Sequence, residues 1–480
     1  MDAPPLTPEL LETLPPAAVA IIEWLVASNA RLHVEVAQLR QRNAELEAKL
    51  KQNSTNSSKP PSSDPPSVKR PPPKQATGKK AGGQPGHAKA ERAPVDHPDH
   101  VQECKPTACR RCQQPLSGDD PDPLRHQVTE LPVVEPIVTE YRRHRLSCPG
   151  CGATTCGSLP AGVIGQDGPW LQAACALLTG SYRLSKTKAA KLLGELFQVP
   201  MSAAQVCATE AIVGAQLQPV VDELLATARQ EPANVDETSM GKGRWLWVMA
   251  TTVATVYQIV SGRNRDELNK LIGPKYQRVL TSDRHSLYMH LPDWRHQLCW
   301  AHLRRDFQAM VDRNNGGMKI GMELLALSDE MFGWWHRVRD GTLTKGHFAG
   351  RMHAQREFRS QFRRVLERGS ACGCVKTAGT CAELLDREVS LFVFAFNDDV
   401  EPTNNAAERA VRHGVIWRKQ SHGPKSVAGA KYLANIWSVV ETCRQQGRNV
   451  WKELTARIAA ARQGLRLPSL TMPIVQPHAA

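Results

Sequence analysis

Between residues 233 and 302 the hydrophobic pattern changes from helical to strand-like, and this block constrains the fold more than any other part of the chain. ANVDET is a short strand ending in the acid Asp236. RWLWVMATT and VATVYQIVSG follow, both rich in β-branched and aromatic residues and separated by a turn. NRDELNKLIG reads as a helix, YQRVLTSD as a strand ending in Asp283, and HQLCWAHL as a further strand. Three strands, a helix and then more strand predict a sheet whose first and fourth strands lie side by side. That adjacency brings Asp236 and Asp283 together although 47 residues separate them.

Two neighbouring carboxylates repel, and a divalent cation relieves the repulsion. Mg²⁺, or Mn²⁺ in its place, takes oxygen ligands from one or two carboxylates plus phosphate. Two such ions about 3.5–4 Å apart clamp the attacking and leaving oxygens of an in-line displacement. The third acid this requires is Glu408, in PTNNAAERAVR, on the first or second turn of a helix capped by Thr403 or Asn404. The strand order is that of a ribonuclease-H-like sheet. Between Asp283 and Glu408 lie 124 residues, so about residues 307 to 398 form an insertion. MELLALSDEMFGWWHRVRD and AQREFRSQFRRVLERG make it helical, either as a cover for DNA or as a packing cap. Cys299 and His302 form a C-x2-H pair, either a packed core turn or a support that touches the triad from behind; Arg304 and Arg305 beside them are phosphate-contact candidates. Residues 409 to 440 contain no acid, and Arg409, Arg412, Arg418, Lys419 and Lys425 make a candidate DNA track with His413, His422 and Trp417 interleaved.

The N-terminal third reads differently. Leu25, Leu32, Leu39 and Leu46 recur every seven residues within an amphipathic helix at 17 to 52, with Asn29 and Asn43 among the positions three residues earlier. Leucine at d with asparagine at a suits a parallel two-stranded coiled coil, and hence a homodimer. Residues 53 to 94 are a Ser-, Pro- and Gly-rich basic linker that includes Lys79 and Lys80, either holding phosphates or simply solvated. Cys109-x2-Cys112 and Cys148-x2-Cys151 have the spacing of a structural zinc site, and the β-branched run between them reads as the strands of a zinc ribbon. LSKTKAAKLLGELFQVPMSAAQVCATEAIV reads as a helix-turn-helix with its second helix capped by Ser202, either reading DNA or packing. A formal net charge of +14 favours nucleic acid as a partner. The sequence has no run of about 18 apolar residues, so no membrane span is expected, and its acidic, Pro-rich start is unlike an export signal.

The whole pattern resembles the transposases of the insertion-sequence-66 family: coiled helix, NSSKPPSSD linker, GGQPGH segment, cysteine knuckles, CWAHLRRDF and PTNNAAERAVR. The resemblance implies an Asp–Asp–Glu triad at Asp236, Asp283 and Glu408. It also implies cleavage at the terminal inverted repeats of a mobile element, strand transfer of a 3′-hydroxyl into target DNA, and small accessory proteins. The setting it implies is the nucleoid in a bacterial cytoplasm. TSDRHSLY departs from the Asp-Gly-Tyr form of the family by placing Arg284 and His285 after the second acid. The expected architecture is a multidomain α/β chain: coiled-coil helix 1–52, linker 53–94, zinc-ribbon DNA-binding domain 95–160, helical helix-turn-helix-like domain 161–230, ribonuclease-H-like domain 231–306 with 399–465, insertion 307–398 and tail 466–480. Two other classes fit the same residues: a nuclease such as a junction resolvase, and a DNA regulator with an inactive catalytic fold.

Overall fold

The computed structural model describes residues 14–50, 92–353 and 355–471. Lys79 and Lys80, and nearly all of the basic linker, lie outside the described residues. The chain divides into two compact units: Met1–Val68 with Tyr141–Ala190 and Met201–Ala480, and Lys69–Glu140 with Lys191–Pro200.

In the larger unit, the first described helix is α1 (Pro16–Leu50). Leu25, Leu32, Leu39 and Leu46 on it are all at least 50% exposed. Its stretch Pro16–Arg40 has a mean hydropathy of 1.2 and is long and apolar enough to cross a membrane by length and composition. This corrects the expectation that no segment is, because scattered alanines, valines and leucines raise the average without an unbroken apolar run. A hairpin of β1 (Arg145–Ser147) and β2 (Thr154–Cys156) follows. The strands expected between the cysteine pairs reduce to this short β1, and Val128, Leu131, Ile137 and Val138 are more than 80% exposed. With no sheet partner and no core to enter, β-propensity alone does not make a strand.

Next come α2 (Pro169–Ala176), α3 (Lys186–Phe197) and α4 (Ala203–Ala228). Ser202 caps α4 in a reciprocal capping box with Gln205, as its position before the helix predicts. At 26 residues α4 is long, and Val213, Leu217, Val221, Leu224 and Ala228 on it are buried in one core with the sheet. The helix thus serves as a layer of the sheet domain.

The sheet is built from β3 (Ala233–Gly241), β4 (Arg244–Ala250), β5 (Thr255–Val260), β6 (Leu280–Ser282) and β7 (His296–Leu298), in the order β5-β4-β3-β6-β7. The three N-terminal strands meander antiparallel. The chain then crosses over through α5 (Arg265–Ile272), which Asn264 caps, and β6 pairs parallel with β3. The first and fourth strands are therefore neighbours, as the strand order anticipates. The sheet is backed by α12 (Asn405–Ser421) and α13 (Val427–Gln445), with α14 (Val450–Arg462) behind them.

Between β7 and α12 lie α6 (Trp300–Asp312), α7 (Met318–Arg339), α8 (Lys345–Arg351), α9 (Glu357–Ser370), α10 (Val375–Asp386) and α11 (Glu388–Phe396). They enclose a second core of interlocked rings, in which Trp300 lies 5.5 Å from Phe362 and 5.8 Å from Phe392. The helix α6 starts at Trp300, inside the run expected as strand, and passes unbroken through residue 307, and the core reaches back past it to Leu298 of β7 and Val279.

Candidate functional site

The register of the sheet places the first two acids. Ala233 pairs with Leu280 and Asn234 with Thr281. The ladder stops there, and each acid lies two residues further on, Asp236 along β3 and Asp283 just past the end of β6. Ser282 pairs with Leu298, so one further step brings Cys299 into the same row. β6 and β7 end at this row, whereas β3, expected to end at Asp236, runs on to Gly241 because β4 continues to pair with it.

Glu408 comes from α12, on which its backbone N–H donates to the carbonyl of Asn404 at 3.1 Å. Gly423 fixes the far end of this helix against β3. It has φ +86°, and a Cβ there would lie 2.0 Å from the carbonyl oxygen of Met240.

Burial, and then the charges of Glu237, Asp283 and Glu408, push the carboxyl of Asp236 well above the usual carboxylate range. Repulsion among neighbouring carboxylates is thus a cause of the shift, after burial. Asp283 accepts the N–H of His285 at 3.0 Å. A carboxylate oxygen of Glu408 is buried without a hydrogen-bond partner among the described residues, and so is Nδ1 of His302, 3.4 Å from it. Arg305 lies 3.7 Å from the other oxygen of Glu408. The Sγ of Cys299, a ring nitrogen of His302 and an oxygen of Glu408 fall within 4.8 Å of one another. Burial holds the Cys299 thiol at about 12 and depresses the His302 imidazole, which the Glu408 charge partly restores. Both are therefore neutral groups beside the third acid.

Of the expected cations, several are committed inside the protein. Arg304 pairs with Asp329 at 2.7 Å. Arg418 donates to the carbonyl of Ser239. Trp417 and His413 pack edge-on against Trp437, with centroids 6.1 and 5.1 Å away. Arg409, Arg412, Lys419 and Lys425 are exposed. The unusual Arg284 after the second acid pairs with Asp306 at 3.0 Å and with Glu383, tying the Asp283 loop to α6 and α10. That pairing gives a local reason for the departure from Asp-Gly-Tyr.

Two features escape sequence reasoning. Glu237 is nearly buried, takes two guanidinium bonds from Arg263 at 2.8 and 2.6 Å, and accepts the hydroxyl of Tyr288. Strand alternation turns it to the face opposite Asp236, and only its place next to the acid in VDET hints at it. Asn404, read from sequence only as a possible cap, has a buried amide that donates to the carbonyl of Val235 at 2.8 Å.

The cysteine pairs sit in two separate turns. At the first, Gln113 donates to the carbonyl of Cys109 at 2.9 Å; at the second, Gly152 donates to that of Cys148 at 2.8 Å. Backbone amides of Cys112 and Arg111 lower the Cys109 thiol, and those of Cys151 and Gly150 lower Cys148. Each turn thus stabilises a thiolate at its first cysteine.

Residues 168–432 match the family described as Transposase IS66 family. Residues 12–93 match a Family of unknown function (DUF6444). The uncharacterized protein y4qI of Sinorhizobium fredii is 26% identical over 292 residues, which is 52% of this chain and 52% of that protein. The chain thus spans about half the length of that curated relative. No solved structure matches.

Proposed function

We propose, since this chain belongs to the transposase IS66 family, that it cuts phosphodiesters at the ends of a mobile element and joins the freed 3′-hydroxyls to target DNA through Asp236, Asp283 and Glu408. The observation that carries this reading is the parallel pairing of β3 with β6, which sets Asp236 of β3 beside the end of β6 where Asp283 follows, with Glu408 near enough for its charge to raise Asp236. The order β5-β4-β3-β6-β7, with β3 and β6 parallel, supports a ribonuclease-H-like core.

The donor set fits a hard divalent cation: three carboxylates, one with an unpartnered buried oxygen, and an Asp236 whose charge is disfavoured without a counter-charge. Two Mg²⁺ or Mn²⁺ ions, when bound, supply the charge that steadies the attacking and leaving oxygens. Asp236 and Asp283 hold and orient from the sheet, and Glu408 from its helix. Neutral His302 and the guanidinium of Arg305 border Glu408 and keep its carboxylate aimed. Exposed Arg409, Arg412, Lys419 and Lys425 bind the DNA backbone, the element's terminal repeats and target alike.

The thiolate-stabilising turns at Cys109–Cys112 and Cys148–Cys151 suit zinc. The exposed leucines of α1 suit a parallel homodimer, which holds two element ends together. The chain acts on DNA in the bacterial cytoplasm, with small accessory proteins as further partners.

The test is cleavage and joining of end-bearing duplexes by Asp236→Asn, Asp283→Asn and Glu408→Gln. Each should lose more than the roughly 100-fold that outer-shell changes cost while still binding DNA. Near-normal cleavage by any one removes that residue from the triad. Wild-type cleavage without joining favours a nuclease of the same fold.

A further inference from the structure

We propose that Asn404 is the positioning residue that sets the three carboxylates in register, through bonds to all three acid-bearing elements. The proposal rests on the reading of Asp236, Asp283 and Glu408 as the metal-holding triad.

The amide Nδ2 of Asn404 donates to the carbonyl of Val235, the residue before Asp236, at 2.8 Å. Its backbone N–H donates to the Sγ of Cys299 at 3.1 Å. The N–H of Cys299 in turn donates to the carbonyl of Ser282, the residue before Asp283, at 2.9 Å. The carbonyl of Asn404 accepts the N–H of Glu408 itself at 3.1 Å. Each acid is thus within one peptide of a single buried node. Both Asn404 and Cys299 are only 1% exposed, so water does not compete for these bonds.

The chemistry of the node explains the residue types. Asn404 Oδ1 has no hydrogen-bond partner among the described residues. A side chain kept only to fill space would not be a buried amide with an orphaned acceptor, because an apolar residue of that volume carries no such penalty. The Nδ2 donor is therefore what the position selects. Aspartate is nearly isosteric but removes that donor and sets an acceptor against the Val235 carbonyl. Cys299 accepts through sulfur as a neutral thiol, so it adds no charge beside the carboxylates. Outer-shell contacts of this kind typically change metal affinity or activity by about 10- to 100-fold.

The experiment uses full-length protein and the variants Asn404→Asp, Cys299→Ala and Asp236→Asn. Mn²⁺ binding is followed by electron paramagnetic resonance of the free ion, Mg²⁺ dependence by cleavage of end-bearing DNA, and folding by thermal melting. Asn404→Asp should melt cooperatively, bind Mn²⁺ about 10- to 100-fold more weakly and need more Mg²⁺ for half-maximal cleavage. Cys299→Ala removes the acceptor of the backbone N–H and should shift both readouts in the same direction, which covers the case where Asn404→Asp does not fold. Wild-type Mn²⁺ affinity in a folded Asn404→Asp, with affinity lost in Asp236→Asn, overturns the positioning role and leaves the triad standing. Wild-type affinity in Asp236→Asn overturns the triad reading beneath it. Loss of cooperative melting in both node variants makes the node a folding element and overturns the proposal as well.

Discussion

The sheet that carries the acids and the segment that carries the cysteine pairs solve the same problem in opposite ways. In the sheet, Asp236 and Asp283 are held by strand register, and Asn404 and Cys299 fasten Glu408's helix to it from within a closed core. In the segment from 92 to 160, regular structure amounts to two three-residue strands and an isolated bridge between Ala108 and Pro115. Leu124, Ile137 and Val138 there are 86% exposed or more. The difference shows what packing can and cannot supply. A region that buries enough apolar surface fixes its polar groups by exclusion of water. A region that does not is fixed only if a ligand or partner holds it.

The largest expected effect follows from that contrast. Removing zinc by chelation, or changing Cys112→Ser, should unfold the 92–160 segment, because structural zinc contributes roughly 10–16 kcal/mol of apparent binding energy in small zinc modules. Limited proteolysis should then cut that segment quickly while the sheet domain keeps its melting temperature. Purified protein without bound zinc, and a cleavage pattern indifferent to chelator, would break the comparison.

A smaller effect is expected at α1, another region that no core covers. Leu32→Lys with Leu39→Lys should dissociate the protein, since a buried leucine is worth roughly 1.5–3 kcal/mol. Light scattering at micromolar concentration reads the change. A wild-type chain that is already monomeric would mean that these exposed leucines serve another surface.

Within the core the sign of the effect reverses. The folded-state pKa of Asp236 is raised, so the stability linked to it is fully present below the unfolded carboxylate value and is lost as pH rises through the raised one. Asp236→Asn should therefore stabilise the metal-free protein at neutral pH. Each kcal/mol relieved is worth about 2–4 °C in Tm, and the gain should shrink as pH falls. Melting curves at pH 5 and pH 8 in chelator check this; an Asn variant less stable than wild type at pH 8 would show that the carboxylate is not strained.

The smallest effect concerns DNA. Neutralising Arg412 and Lys419 together should lower the slope of log affinity against log salt by up to about 2, equally for specific and random duplexes. The same test on Arg304 and Arg418, already bonded to Asp329 and Ser239, should leave the slope nearly unchanged. Equal slopes for both pairs would erase the distinction between free and committed cations.

The strand order, the acids at Asp236 and Asp283, the helix bearing Glu408 and the Ser202 cap were all legible in the sequence, because each depends on local pattern: period-2 alternation, a turn, a capping residue. The length and role of α4 were not, because a helix's partner is set by which distant surface receives its apolar face. The strands expected between the cysteine pairs failed for the same reason, with β-branched residues present but no sheet to join. Which basic residues remain free was equally hidden: Arg304, Arg284 and Arg418 look in sequence like their neighbours, and only distant Asp329, Glu383 and Ser239 use them up. The sequence by itself determined which reactive groups this chain carries, since acids, thiols and cations are counted residue by residue. The tertiary structure alone decided how the acids are aimed, since the bonds from Asn404 to Val235 and Cys299 span 169 and 105 residues and no local pattern encodes contacts over such separations.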